Sequence, residues 1–167
     1  LYNKLYEVME MIVVSSCLAG MKVRYNGTHC LHEVIQRLVE EKKAVTVCPE
    51  LMGGFTTPRE PAEIQGGNGD DVLDGRARVI EKSGRDVSDM YIKGAQAALE
   101  RIRELGASLV VLKEYSPSCG SAMIYNGQFE NKRIDGSGVT SALLKREGIE
   151  VVSEEQFLDR LRRSGEL

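Results

Sequence analysis

The stretch SLVVLKEYSPSCGS, residues 108–121, runs an apolar, β-branched segment straight into a polar turn that is stiffened by Pro117 and holds one thiol, Cys119. A short apolar run bounded by turn residues reads as a buried strand. Alone, the turn leaves three readings open: a structural turn that contains a cysteine, a nucleophile, or one arm of a metal site. The same pattern occurs twice upstream. MIVVS (11–15) stops at Ser-Ser, with Cys17 next, and AVTVC (44–48) ends on Cys48 before Pro49, which cannot donate to a ladder. IEVVS (149–153) reads as a fourth strand. Between these runs lie segments of helical period: LHEVIQRLVEEKK (31–43), with apolar residues at 31, 34, 35, 38 and 39, and residues 87–106, with Ser88 as expected N-cap and Gly106 as stop. GVTSALLKREG (138–148) and EEQFLDRLRR (154–163) follow the same rule. Residues 52–88 predict a long loop, relieved by one short edge strand in RARVIE, and Asn126-Gly127 predicts a hairpin turn within 124–133.

Strands alternating with helices predict an α/β fold: an open, mainly parallel sheet of four or so strands, helices on both faces, Rossmann-like in its three layers. In such sheets ligands bind beyond the carboxyl ends of the strands. If the strands are parallel, Cys17, Cys48 and Cys119 emerge together at that edge.

The bulk numbers narrow the partners. A chain of 167 residues suits one domain with a proper core, here residues 11–167. Residues 1–10 precede Met11 and read as an N-terminal extension or a cloning remnant. A net charge of -3 argues against a nucleic-acid partner. No apolar run approaches the roughly 20 residues that span a bilayer, and no secretory signal opens the chain, so a cytoplasmic protein without membrane contact is expected. The sequence does not define the oligomeric state.

In a reducing compartment, grouped cysteines point to metal or catalysis before disulfides. The four cysteines contain no CxxC pair, so any cluster is assembled by the fold. Three thiols leave a fourth coordination position open, as a catalytic metal centre requires. Thiolates suit iron–sulfur clusters, zinc or copper(I). The two histidines, His29 and His32, flank Cys30 rather than a strand end, which favours iron–sulfur over zinc. Cys30 opens a helix and reads as a packing or surface residue. The plain alternative for all of them is burial of a small hydrophobe.

SSCLAGMKVRYNG (15–27), CPELMGG (48–54), PREPAEI (58–64), GRDVSDMYIKGAQAAL (84–99), LKEYSPSCGSAMIYNGQFE (112–130) and GSGVTSALLKREGIEVVSEE (136–155) together resemble a bacterial family of small domains whose characterised members are thiouracil desulfidases. The resemblance covers nearly everything after Met11. It implies a [4Fe–4S] cluster held by Cys17, Cys48 and Cys119, with the fourth iron free for the sulfur of a small thiolated substrate such as 2-thiouracil, removed without net redox change. Met21, Asn26 and Asn126 depart from the common family pattern, and none falls on an implied ligand.

Such chemistry needs a base for water and a proton donor for the leaving sulfur or its neighbouring nitrogen. Glu50, two residues after Cys48, is the candidate base. Ser116 and Ser118 are candidate donors or relays, Ser116 being favoured, with Lys113 and Glu114 as alternatives. Arg24, Tyr25 and Arg59 are candidates to line the substrate pocket or to anchor its loops. Two further functions remain open from the sequence: a non-catalytic iron–sulfur carrier or redox sensor, and a zinc hydrolase.

Overall fold

A computed structural model describes residues 11–20 and 33–165. In chain order its elements are β1 (Ile12–Ser15), α1 (Glu33–Glu40), β2 (Ala44–Val47), α2 (Pro49–Met52), β3 (Ala62–Gln65), α3 (Gly69–Leu73), β4 (Arg78–Glu81), α4 (Ser88–Leu105), β5 (Leu109–Leu112), β6 (Met123–Tyr125), β7 (Arg133–Asp135), α5 (Val139–Arg146), β8 (Glu150–Ser153) and α6 (Glu154–Arg163). A single 3-10 turn, Ser16–Leu18, follows β1.

The central sheet has the order β2-β1-β5-β8, and every pairing in it is parallel. Successive side chains on a strand point to opposite faces, and the register lines them up across the sheet. Val13, Val110 and Val151 join Leu99 and Ile102 of α4 and Leu144 of α5 on one face. Val14, Val111 and Val152, each one residue further on, meet Ile35 of α1 and Phe157 of α6 on the other. Two layers of helices over a parallel sheet follow from this pairing of apolar neighbours, and the α/β three-layer expectation holds.

Two helix ends show local chemistry at work. Gly106 takes φ 66 to stop α4, a left-handed turn that costs glycine little. Ser153 and Gln156 form a reciprocal capping box that starts α6 directly from the end of β8.

Residues 52–88 correct the sequence-based expectation of a loop with one edge strand. β4 does occupy RARVIE, but it pairs antiparallel with β3, a strand the sequence reading lacks, and α3 lies between them. Ile64, Val72, Val79, Phe55 and Tyr91 build a further apolar cluster that covers α4. Ser88 is the first residue of α4 rather than its cap. Its amide and hydroxyl both donate to Asp86, and its oxygen accepts from Val79. β6 and β7 form the expected hairpin, but residues 126–132 all belong to its connection instead of a tight Asn-Gly turn. Among the described residues no helix is long and apolar enough to cross a membrane.

Candidate active site at the strand ends

The chain turns from β2 on one side of β1 to β5 on the other, so the carboxyl ends of β1, β2 and β5 lie together where the strand order switches. Each end delivers a cysteine. The 3-10 turn after β1 carries Cys17. Cys48 is the N-cap of α2, with Pro49 in the first turn, where its missing N–H is no loss. Cys119 sits in the loop beyond β5, which a set of polar contacts fixes. The Glu114 carboxylate accepts from the amides of Ser121 (2.7 Å), Ala122 (3.2 Å) and Met123 (3.3 Å) and from the Ser121 hydroxyl. Ser116 Oγ accepts from the amides of Ser118 (3.1 Å) and Cys119 (2.7 Å), and the Ser141 hydroxyl donates to the Cys119 carbonyl.

A cavity of about 420 Å³ opens at this edge, and Cys17, Cys48, Cys119, Glu50, Arg59 and Ser116 all line it. None of the three cysteines forms a disulfide among the described residues. Burial pushes the Cys119 thiol well above its usual range, and the charge of Glu50 and the neighbouring cysteines add to the effect. Burial also raises Cys48, opposed by the backbone amide of Leu51 at the start of α2. Unligated, both thiols are protonated at neutral pH, and a metal that binds them displaces protons.

Among the described residues, no three His, Cys, Asp or Glu side chains close around a single ion. The donor set in the cavity wall is the three thiols of Cys17, Cys48 and Cys119. That arrangement suits a cluster of several metals, in which each thiolate meets a different metal and one metal keeps an open position.

Glu50 enters the cavity from the first turn of α2. Arg59 donates to it through Nε at 2.6 Å, with side-chain exposures of only 13% for Glu50 and 7% for Arg59. The guanidinium is braced in turn by the Thr57 hydroxyl and the Thr56 carbonyl. Arg59 thus reaches the cavity as the partner of Glu50. Ser118 takes a different position from Ser116: it is buried, and its hydroxyl pairs with Thr140 at 2.8 Å. Lys113 pairs with the buried Glu154 beneath the loop. Arg24, Tyr25 and Cys30 lie outside the described residues.

The far wall of the cavity has no counterpart in the sequence reading. The Arg133 guanidinium lies 3.7 Å over the Tyr115 ring and 5.8 Å from the Tyr125 ring, and the two rings are themselves neighbours at 6.4 Å. Tyr115, Phe129 and Asn131 all line the cavity with positive φ (73, 53 and 60°), a backbone state that costs a non-glycine residue of order 1 kcal/mol or more. Buried Glu63 holds this wall in place by accepting from the amides of Gly127 (2.9 Å) and Phe129 (3.2 Å). Ser15, at the end of β1, also lines the cavity. The sequence signal for it was the Ser-Ser stop that ends the first apolar run.

The fold and the site together define an open-sheet α/β protein with a thiol-lined cavity at its strand switch. The chain belongs to the 2-thiouracil desulfurase family, whose model matches residues 12–156. It is 58% identical over 149 residues to the uncharacterized protein YbbK of Bacillus subtilis (strain 168), a match that takes in 89% of this chain and 99% of that protein. Among solved structures it is similar to the [4Fe–4S]-dependent thiouracil desulfidase TudS. That match has a TM-score of 0.81 and 41% identity, over 95% of this chain and 99% of the other.

Proposed function

We propose that this chain is an iron–sulfur desulfidase that removes sulfur from 2-thiouracil or a closely related small thiocarbonyl compound, with Cys17, Cys48 and Cys119 as the ligands of a [4Fe–4S] cluster. The observation that carries the reading is the delivery of three thiols to a single cavity from three strand ends, with the largely buried Glu50 carboxylate beside Cys48. Membership of the family and the likeness to TudS supply the substrate class. Bound there, the cluster contributes an open iron, a Lewis acid that polarises the thiocarbonyl through its sulfur.

The protein's own groups supply the rest. Water must add to the thiocarbonyl carbon and lose a proton, and Glu50 is the base. Arg59 holds that carboxylate aimed into the cavity through the charge-assisted bond at 2.6 Å. Ser116 is the donor to the departing side. Its oxygen already accepts two amide protons, so what it has left to offer the cavity is its own O–H. Overall the carbon–sulfur bond breaks, a carbon–oxygen bond forms, sulfur leaves as sulfide with the protons of water, and no electrons are transferred. The small cavity and net charge of -3 fit a small-molecule partner. A site built on thiolates keeps its ligands best in a reducing compartment, and the cytoplasm is the setting proposed here.

The test is anaerobic reconstitution followed by iron, sulfide and turnover measurements. The reading predicts about four irons and four sulfides per chain, conversion of 2-thiouracil to uracil, and loss of cluster in Cys119→Ala. Glu50→Gln should keep the cluster and lose activity by about 10²-fold or more. Full loading with no turnover of any thiocarbonyl compound would leave a carrier or sensor. Zinc in place of iron would refute the cluster.

A further inference from the structure

The cysteine that follows the first strand has a neighbour that none of the chemistry above uses. Ser15 is the last residue of β1, 5% exposed, and its Oγ lies 3.3 Å from the Sγ of Cys17 in a buried contact. The backbone fixes this pair. Ser15 is held in register against Val47 of β2, and the 3-10 turn begins at the next residue, so the two side chains converge as the chain leaves the sheet. A hydroxyl beside a sulfur can donate or accept. Once Cys17 is a metal-bound thiolate it has no proton to give, so the serine must be the donor.

A hydrogen bond to a cluster sulfur withdraws charge from it. That stabilises the more reduced, more negative state of the cluster and weakens the metal–sulfur bond. Cys48 has a different arrangement, with backbone amides at the start of α2 directed at its sulfur. The cavity therefore provides sulfur-directed donors of two kinds, one from a side chain and one from a helix start.

We infer that Ser15 is a positioning residue which donates a hydrogen bond to the sulfur of Cys17 and thereby sets the electronic state of the bound cluster. This rests on the cluster reading given above. The donor lowers the electron density that Cys17 pushes toward the irons, which keeps the open iron acidic enough to hold a thiocarbonyl sulfur. It also orients the Cys17 side chain before the cluster arrives.

The experiment compares anaerobically reconstituted parent protein with Ser15→Ala and Ser15→Thr. The readouts are the reduction potential of the cluster and its iron–thiolate stretching bands by resonance Raman spectroscopy. Ser15→Ala should move the potential to more negative values and the iron–thiolate bands to higher frequency. Ser15→Thr keeps the hydroxyl on a β-branched side chain suited to the strand, and should restore both toward the parent. If Ser15→Ala fails to hold a cluster while Ser15→Thr holds one, the hydroxyl requirement stands. If both variants lose the cluster while the parent keeps it, or if parent and Ser15→Ala give the same potential and bands, the inference is overturned and the desulfidase reading survives. A parent protein that assembles no cluster overturns both.

Discussion

Arg59→Gln should destabilise the protein without its cluster and also silence the enzyme with it, and the first effect can be sized. The Glu50–Arg59 pair is joined at 2.6 Å with both side chains almost out of solvent, so removing the guanidinium strands a carboxylate in the cavity wall. Breaking a fully buried pair costs about 3–5 kcal/mol. The cavity admits water to Glu50, which brings the expectation down to about 2–3 kcal/mol. At about 2–4 °C per kcal/mol for a chain of this size, the midpoint of thermal unfolding should fall by about 4–12 °C. In the double variant Glu50→Gln/Arg59→Gln the stranded charge is gone. Its loss should be smaller than the sum of the two single losses by about 1 kcal/mol or more. Calorimetry of the four proteins at pH 7 without metal reads this directly. A shift under about 2 °C for Arg59→Gln, or strict additivity in the cycle, would show that the pair behaves as a screened surface bridge. In that case Arg59 could not be what keeps Glu50 in place.

Three other perturbations address the frame of the site. Ser116→Ala removes the acceptor for two loop amides as well as the proposed donor, so turnover should fall about 10²-fold or more, with about 1–2 kcal/mol of stability lost; unchanged steady-state rates at full iron content would remove Ser116 from the reaction. In Gly94→Ala the new Cβ would overlap the Pro49 carbonyl, where α4 passes against α2. The helix carrying Cys48 must then shift, at about 1–3 kcal/mol, and iron loading should drop along with the unfolding temperature. Glu114→Gln probes acid stability. Burial works to raise the Glu114 carboxyl, but the hydrogen bonds from Ser121, Ala122, Met123 and Tyr115 outweigh it and hold the group below the usual carboxylate range. A lowered folded-state value gives stability that is present above the unfolded value and lost as pH falls through the folded one. Denaturant titrations of the parent should therefore weaken below about pH 4.5, and Glu114→Gln should be weaker at neutral pH with a flatter acid limb; parallel curves would refute the clasp.

The parallel sheet was legible because its strands are short β-branched runs, each stopped by a polar residue, and because doubly buried strands need no alternation to be recognised. The same stops marked the three cysteines. The pair β3 and β4 was harder, since β3 (AEIQ) places a carboxylate on the inside. Glu63 is buried to hold the 126–130 backbone, and a buried acid reads in sequence as a surface residue. α3 is too short for periodicity, although its capping box, Asn68 with Asp71, was a usable signal in NGDD. The Glu50–Arg59 pair depends on how the chain folds back over residues 53–58, and the Arg133–Tyr115 stack joins a hairpin to a loop before it. Neither spacing has a local rule behind it.

The wide separation of residues 17, 48 and 119 has a consequence for how the protein comes into being. β5 lies between β1 and β8, so Cys119 cannot meet the other two thiols until the third strand has docked beside the first and the loop after it has closed on Glu114. A growing chain with β1 and β2 already paired presents two of the three cavity cysteines and no complete site. With Cys17, Cys48 and Cys119 as the proposed ligands, cluster loading would follow assembly of the sheet, after the chain has gained the walls that protect it.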